Sequence, residues 1–455
     1  MPSWRSGKHS LRGDRSLKSI RNKEKKQMVE NQTYWNMETE TMSRDKLLEY
    51  QWSKLLPQLR YAYSNVPYYR RSFEDAGMKI DDIKKVEDYY ERVPFLSKTQ
   101  IIENQKTNPP FGDLLAVKPE DLSRIYIAPG PIALPFTKEE YDMLTSMVAK
   151  GFYICGARKK DIVNLAANFH WVIAGTALDE AFRKIGCAVL PGGPGMSKMH
   201  VEMMRLTRTT VLMGFTMFVL KLGETAKEMG IDPSKELSLR LLIVLGDVRT
   251  EDTKGRLEKT FGAEVREAYG TADLGLIAAE CPDGGGMHLY EEILAEVIDP
   301  KTGKHVPFGE GGEIVASDIV RRAMPIIRYR TGDITEGLNL DPCPCGRSTP
   351  RLKRILGRTS DIPKVKGMFI NPSEVESVIK RHPELGKFQI IVDRPRLEDE
   401  LTIKVEFNKP VDKGKIEGFL VNELKEVIRL KSNVVLVEEG TIPQDAGVLD
   451  DRRKV

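Results

Sequence analysis

The chain has 455 residues, of which 40% are hydrophobic and 30% charged; this is too long for one core and too well mixed for a disordered or fibrous protein. The net charge of +4 is unevenly spread: residues 1–26 hold nine Lys and Arg against Asp14 and Glu24, so this stretch is +7 and the remainder is −3. No run reaches the roughly 18–20 apolar residues of a membrane span. Five cysteines, two of them in Cys343-Pro-Cys345, are not the even framework of a secreted disulfide-rich domain, so a cytoplasmic protein without a membrane partner is expected.

In chain order, residues 1–30 read as a basic, solvated, disordered tail, and nucleic acid is not the expected partner. Over 31–110, Leu47, Leu48, Trp52, Leu55, Leu56 and Leu59 recur at helical spacing. Residues 127–137, IAPGPIALPFT, contain three prolines, one glycine and no lysine. A turn so stiff is either a plain surface connection or an altered ligand loop. From about residue 160, strands alternate with helices. Strands are expected at Ile162–Leu165, Cys187–Leu190, Thr210–Met213 and Leu239–Leu245, with helices at Gly175–Ile185, Met196–Thr207 and Phe218–Met229. Short buried strands separated by helices predict a parallel, doubly wound α/β sheet. Ligands of such sheets bind beyond the strands' carboxyl ends, here Phe169-His170-Trp171, Gly192-Gly193, Gly214-Phe215 and Gly246-Asp247.

The last hundred or so residues read as a separate unit. Asn371-Pro372-Ser373-Glu374 is a helix start, with Asn as cap and Glu able to reach back to the cap amide. Strands are expected at Phe388–Val392, Leu401–Phe407 and Val434–Val437, and a second helix carries Ile416, Phe419, Leu420, Leu424, Val427 and Ile428 on one face. The order is βαββαβ, a small α/β sandwich.

Three constellations carry chemistry. Cys281, His288, Cys343 and Cys345 supply three thiols and an imidazole in two short knuckles, a full tetrahedral set for a structural zinc; the alternative is an incidental pair beside a Cys-Pro-Cys surface turn. Tyr329-Arg330-Thr331-Gly332-Asp333 places a carboxylate after a glycine turn, suited to ribose hydroxyls. In Ala268-Tyr269-Gly270-Thr271-Ala272-Asp273 a tyrosine can stack on a base, and Thr271 or Asp273 can meet phosphate or Mg²⁺. The last two are weak signals singly.

Their order, with PIIRYRTGDI, CPCGRSTPRLKRILGR and KGMFINPSEVE, resembles the phenylacetate–coenzyme A ligase branch of the adenylate-forming enzymes, from about Tyr34 to the end. The resemblance implies a large N-terminal AMP- and acyl-binding α/β domain (31–356) and a small mobile C-terminal domain (357–455). It implies ATP- and Mg²⁺-dependent conversion of a carboxylic acid, usually aromatic, to an acyl-adenylate and then a coenzyme A thioester. On the matching positions, Gly246 and Asp247 lie along adenine and Tyr269, Gly270 and Thr271 form the adenine-stacking motif. Asp273 stands where the family has a Mg²⁺-linked glutamate. Asp333 is the ribose-binding aspartate, Arg358 the arginine at the hinge, and Lys366 belongs to the turn that swings in for thioester formation. Phe169, His170, Trp171, Gly214 and Phe215 fall on the acyl-pocket segments.

Two departures stand out. Where the family has a Ser/Thr/Gly-rich phosphate loop, this chain has Ala128-Pro129-Gly130-Pro131, and its prolines have no N–H to offer. The tail keeps Gly440-Thr441-Ile442-Pro443 and Val448-Leu449-Asp450-Asp451-Arg452 but lacks the lysine that stabilises the adenylation transition state. Lys454, Arg452, Arg453 and Lys138 are the remaining candidates for that charge. Two readings follow: a ligase with an altered phosphate loop, or an impaired paralogue that binds AMP, acyl-adenylate or acyl-CoA, self-associated or within a larger assembly.

Overall fold

The computed structural model describes residues 33–453, apart from 246–250, 360, 361, 367, 394, 396–398, 410 and 411. The basic tail 1–30, Gly246, Asp247 and Lys454 therefore lie outside the described residues.

The expected α-helical start is the helix Arg44–Asn65, whose first turn is capped by Ser43. Leu47, Leu55 and Leu59 are buried, whereas Leu48 falls on the opposite face and is 49% exposed. Two glutamines on the buried face, Gln51 and Gln58, make the helix more than an apolar prop. Gln51 Nε2 donates to the carbonyls of Glu291 (3.2 Å) and Ile293 (3.0 Å), and Gln58 Nε2 to that of Arg321, so buried amides and buried carbonyls satisfy one another.

The alternating segments form the parallel half of a nine-stranded sheet, with strands Ala188–Leu190, Ile162–Ala166, Val211–Phe215, Leu241–Leu245 and Glu264–Thr271 side by side. Successive residues of a strand face opposite sides, and both sides are apolar here. Val211, Met213, Leu241 and Ile243 enter one core with Phe152, Phe182 and Leu178. Leu212, Leu242 and Val244 enter another with Val219, Leu222, Leu257 and Phe261. Helices thus cover both faces, the doubly wound arrangement that the sequence pattern predicts. After Thr271 the chain reverses, and Gly275–Glu280, Met287–Leu289, Arg351–Leu352 and Leu338–Asn339 extend the sheet antiparallel.

A second sheet contains Leu96–Ser97, Tyr329–Thr335, Gly312–Asp318 and Ile293–Ile298, with Ile355–Arg358 paired to Tyr329–Thr335. Beyond it the C-terminal residues have a core of their own, including Val375, Ile390, Ile403, Leu420 and Leu424. Its four-stranded sheet runs in the order Asn433–Glu438, Glu400–Phe407, Leu385–Asp393, Leu449–Asp451. The β-α-β-β-α-β succession is present with two refinements. Its first β is a small hairpin, Lys364–Val365 against Met368–Phe369, that pairs with itself. The tail contributes an added edge strand, Leu449–Asp451, parallel to Leu385–Asp393. Glu374, in the first turn of the helix Pro372–Ile379, pairs with Arg354, and Asn371 Nδ2 donates to the carbonyl of Leu356 at 2.9 Å.

Gly151, inside the helix Lys138–Cys155, gives a packing test. A Cβ there would lie 1.7 Å from the Tyr290 hydroxyl and 2.7 Å from its ring carbon Cζ, and Tyr290 is 1% exposed and has nowhere to go. Helix propensity favours Gly151→Ala by about 1 kcal/mol, but overpacking costs about 1–3 kcal/mol. The clash should win, and urea unfolding should show a lower midpoint for the variant; a raised midpoint would show that the ring yields.

Candidate active site

Tyr269 stands near the end of the strand Glu264–Thr271, where the sheet turns from parallel to antiparallel. Its hydroxyl donates to Asp333 Oδ2 at 2.7 Å. The other oxygen, Oδ1, is 2.9 Å from Arg358 Nε, and Arg358 Nη1 donates to the carbonyl of Thr331 at 2.9 Å. Residues from two sheets and from the strand leading to the C-terminal unit thus meet on one carboxylate. Burial pushes the Asp333 carboxyl above its usual range, against the Tyr269 hydrogen bond and the charges of Arg358 and Lys98. Burial, with the adjacent carboxylate, holds the Tyr269 phenol far above its ordinary value, so this hydroxyl remains a donor. Gly332, at φ +74°, lies in the bulge of the strand Tyr329–Thr335 and presents Asp333.

Gly270 is required by close approach: a Cβ would sit 2.2 Å from the carbonyl oxygen of Gly275. Thr271 Oγ1 accepts the amide of Leu274 at 3.1 Å and shapes the next turn. Asp273 is 3% exposed. Its Oδ2 accepts from the Tyr329 hydroxyl at 2.7 Å, and its Oδ1 is buried without a hydrogen-bond partner, an orphaned carboxylate oxygen of the kind a cation satisfies.

At the carboxyl ends of the parallel strands, Phe169 is half-buried, His170 is exposed, and Trp171 (φ +64°) and Phe215 are 81% and 41% exposed. Gly214 is buried where a Cβ would come within 3.2 Å of Ala166 Cβ, so it sets the spacing of two strands. Lys366 occupies the tip of the 364–369 hairpin, at φ +48°.

The IAPGPIALPFT stretch is a β-hairpin. Leu122–Ala128 pairs with Ile132–Thr137 up to Ala128 opposite Ile132, leaving Pro129, Gly130 and Pro131 as an exposed three-residue turn. Both sides of it are anchored. The Gln105 side chain accepts from Ala133 N (2.8 Å) and donates to Ala133 O (2.9 Å), and Ile127 N–H donates to the carbonyl of Trp171 at 2.8 Å. Only Gly130 has an N–H within the turn. Of the cations considered for the missing lysine, Lys138 follows the second strand, roughly 20 Å from the tip by the rise of a six-residue strand. Arg452 pairs with Asp450, and Arg453 with Asp451 and Asp399. The tail is built into the C-terminal sheet, so cutting after Gly447 would remove a strand as well as charges.

The sequence reading missed Lys98, and it named Tyr329 in the TGD segment without its role as donor to Asp273. Leu96–Ser97 lies parallel to Tyr329–Arg330, and the following helix, Lys98–Thr107, begins beside the Asp333 turn with Ser97 and Gln100 as a capping box. Ser-Lys-Thr-Gln marks a helix start in sequence, but nothing local says what the start faces.

Cys281, His288, Cys343 and Cys345 converge, with ligand atoms all within 4.8 Å of one another. Cys281 Sγ and Cys343 Sγ are 3.6 Å apart and Cys345 Sγ is 3.4 Å from His288 Nε2, near the ~3.8 Å and ~3.6 Å that tetrahedral zinc bonds imply. His288 Nδ1 meets Thr349 Oγ1 at 3.2 Å, the outer hydrogen bond that leaves Nε2 as ligand. The donor set fits zinc. The cluster also secures the front of the chain: Tyr34 OH donates to the carbonyl of Cys345 at 2.9 Å, and Arg347 forms a buried pair with Glu40 at 2.7 Å.

The architecture and the placement of these residues define the adenylate-forming enzyme fold. Residues 367–452 match the family described as AMP-binding enzyme C-terminal domain. Phenylacetate-coenzyme A ligase of Thermus thermophilus is 31% identical over 382 residues, covering 82% of this chain and 84% of that protein. The enzyme of the same name from Aromatoleum evansii is 29% identical over 436 residues, covering 91% and 97%. An open conformation of 2-hydroxyisobutyryl-CoA ligase, crystallised with 2-HIB-AMP and CoA, has a TM-score of 0.82 at 26% identity and covers 92% of this chain and 94% of that one. The chain belongs to the phenylacetate–coenzyme A ligase family, acid–thiol ligases that work through an acyl-adenylate. No helix among the described residues is long and apolar enough to cross a membrane.

Zinc in the Cys3His cluster predicts about one metal per chain in protein purified without added metal. Cys345→Ser should release it and lower the thermal midpoint, as measured by metal analysis and calorimetry. Metal-free protein with an unchanged midpoint would show that the cluster stands without zinc.

Proposed function

We propose that the chain is an AMP-forming ligase that joins an aromatic carboxylic acid to coenzyme A through an acyl-adenylate. The observation that carries the reading is the convergence of Tyr269, Asp333 and Arg358 at the junction of the two sheets. Each oxygen of Asp333 holds one protein donor and has a lone pair left for a ribose hydroxyl. The Tyr269 ring gives the nucleotide base a face, and Gly270 and Thr271 keep the adjoining turn narrow. Asp273 Oδ1 is the oxygen that would meet the Mg²⁺ accompanying the phosphates, where the cation supplies charge neutralisation. Phe169, His170, Trp171 and Phe215 rim the strand ends and suit an aryl group; two of the relatives carry phenylacetate in their names. In this reading residues 31–356 form the nucleotide- and acid-binding domain, and 357–455 the mobile unit that brings the Lys366 turn to the adenylate for attack by coenzyme A. Partners are then small molecules: acid, nucleotide and coenzyme A.

A second reading, a paralogue that holds AMP or acyl-adenylate without making it, is favoured by the hairpin turn. One N–H at Gly130 replaces the several donors that a charged transition state requires, and losing such donors costs orders of magnitude in rate. Pyrophosphate release from ATP with a panel of aromatic acids, with and without coenzyme A, separates the two. A competent acid supports release on the ligase reading; none does on the other.

Both readings share a prediction about nucleotides. AMP should bind nearly as well as ATP, because the donors removed are those facing the outer phosphates. Asp333→Ala should weaken AMP by about tenfold or more, the scale of losing charged hydrogen bonds. Calorimetric titration with AMP, ADP and ATP checks this. Affinity climbing steeply with phosphate count would show that other groups have rebuilt the cradle.

A further inference from the structure

The end of the chain is tied to a turn far from it in sequence. Leu449–Asp451 runs parallel to Leu385–Asp393, with Ile390 opposite Leu449 and Val392 opposite Asp451, and Arg452 N–H donates to the carbonyl of Val392 at 2.8 Å. This registration delivers Arg453 into the unit: its side chain is 6% exposed, with Nη2 at 2.5 Å from Asp451 Oδ2 and Nη1 at 3.0 Å from Asp399 Oδ2. The same oxygen of Asp399 accepts the backbone N–H of Lys366 at 3.4 Å. Lys366 is a side-chain-bearing residue at φ +48° on a hairpin whose strands are two residues each. Such a conformation is unfavourable for a residue with a Cβ and persists where its surroundings hold it.

We propose that Arg453 and Asp399 form a clamp through which the C-terminal tail sets the position of the Lys366 turn. The guanidinium neutralises and orients the Asp399 carboxylate, and the carboxylate holds the turn's amide. Without Arg453, a carboxylate only 11% exposed loses a charge-assisted partner that orients it, and the amide's acceptor is held less firmly. The tail then acts on the second half-reaction, thioester formation, through Arg453, which with Asp399 forms a pair of positioning residues. That catalytic consequence rests on the Lys366 turn being the thioester-forming segment; the clamp itself does not.

The test uses the full chain with Arg453→Gln, Arg453→Lys and Asp399→Ser. Three rates are read: tryptic cleavage of the Lys366–Gly367 bond, acyl-adenylate formation from ATP and acid, and thioester formation from supplied acyl-adenylate and coenzyme A. Arg453→Gln and Asp399→Ser should speed cleavage and slow thioester formation about fivefold or more, the lower range of coupling between linked sites. Adenylation should be unchanged, and Arg453→Lys should restore both other rates in large part. A structural role alone would slow both half-reactions together. If Arg453→Gln unfolds the unit, so that cleavage spreads to many sites, Asp399→Ser decides, because it leaves the Arg453–Asp451 pair in place. Unchanged cleavage in the folded variants overturns the clamp. Faster cleavage with wild-type thioester formation overturns the positioning role. A wild-type chain that forms no thioester sinks the ligase reading, and the cleavage series still decides the clamp.

Discussion

The buried carboxylate of Asp333 is the point on which the rest of the molecule converges. Taking a carboxylate out of water costs several kcal/mol unless donors replace the solvent, and three structural units contribute to meeting that cost. Tyr269 comes from the large sheet, Arg358 from the strand leading to the C-terminal unit, and Lys98 adds positive potential from the start of a helix. Displacing any one unit would leave a buried charge poorly paired. The need to satisfy a single group therefore fixes how the two sheets meet and where the strand to the C-terminal unit leaves the large one. A ribose at this place would add donors to an acceptor already oriented.

Around that junction, the molecule combines rigid anchoring with a tight hairpin turn at Pro129-Gly130-Pro131. The Cys3His cluster joins the segments 281–288 and 343–345, and through Tyr34 and Arg347 it secures the first described residues against the same corner. The hairpin 122–137 is held on one side by Gln105 and on the other by the Trp171 carbonyl. Anchoring of that kind removes the freedom by which a glycine-rich loop wraps a triphosphate. The altered segment is therefore a stiff wall beside the apolar strand ends, formed because two prolines fix their own φ and a three-residue turn closes the ladder.

Much was legible in the sequence because the signals are local. Strand–helix alternation from residue 160, with apolar runs expected at Thr210–Met213 and Leu239–Leu245, specifies strands buried on both faces, and the observed Val211–Phe215 and Leu241–Leu245 begin and end within two residues of them. Four metal-ligand side chains in two knuckles pointed to a cluster that the structure assembles. The order of the YGT, TGD and Cys-Pro-Cys segments carries the family resemblance. Boundaries and faces were less secure: Leu48 belongs to the helical pattern yet faces outward.

What the sequence by itself determined is the strand–helix alternation of 160–245, the order of the main elements of the C-terminal unit, and the residue types available for nucleotide and metal chemistry; each of these rests on spacings of a few residues. Only the tertiary structure decided which groups meet. Tyr269 and Asp333 are 64 positions apart, and Arg453 reaches Asp399 across 54, so no periodicity records either pair. Arg453 could be read in sequence as a charge free to replace the missing lysine. Strand pairing at Leu449–Asp451 commits it to two carboxylates instead. The physical reason is that hydrophobic patterning selects faces, whereas hydrogen-bond and ion-pair partners are set by the register of strands brought together from distant parts of the chain.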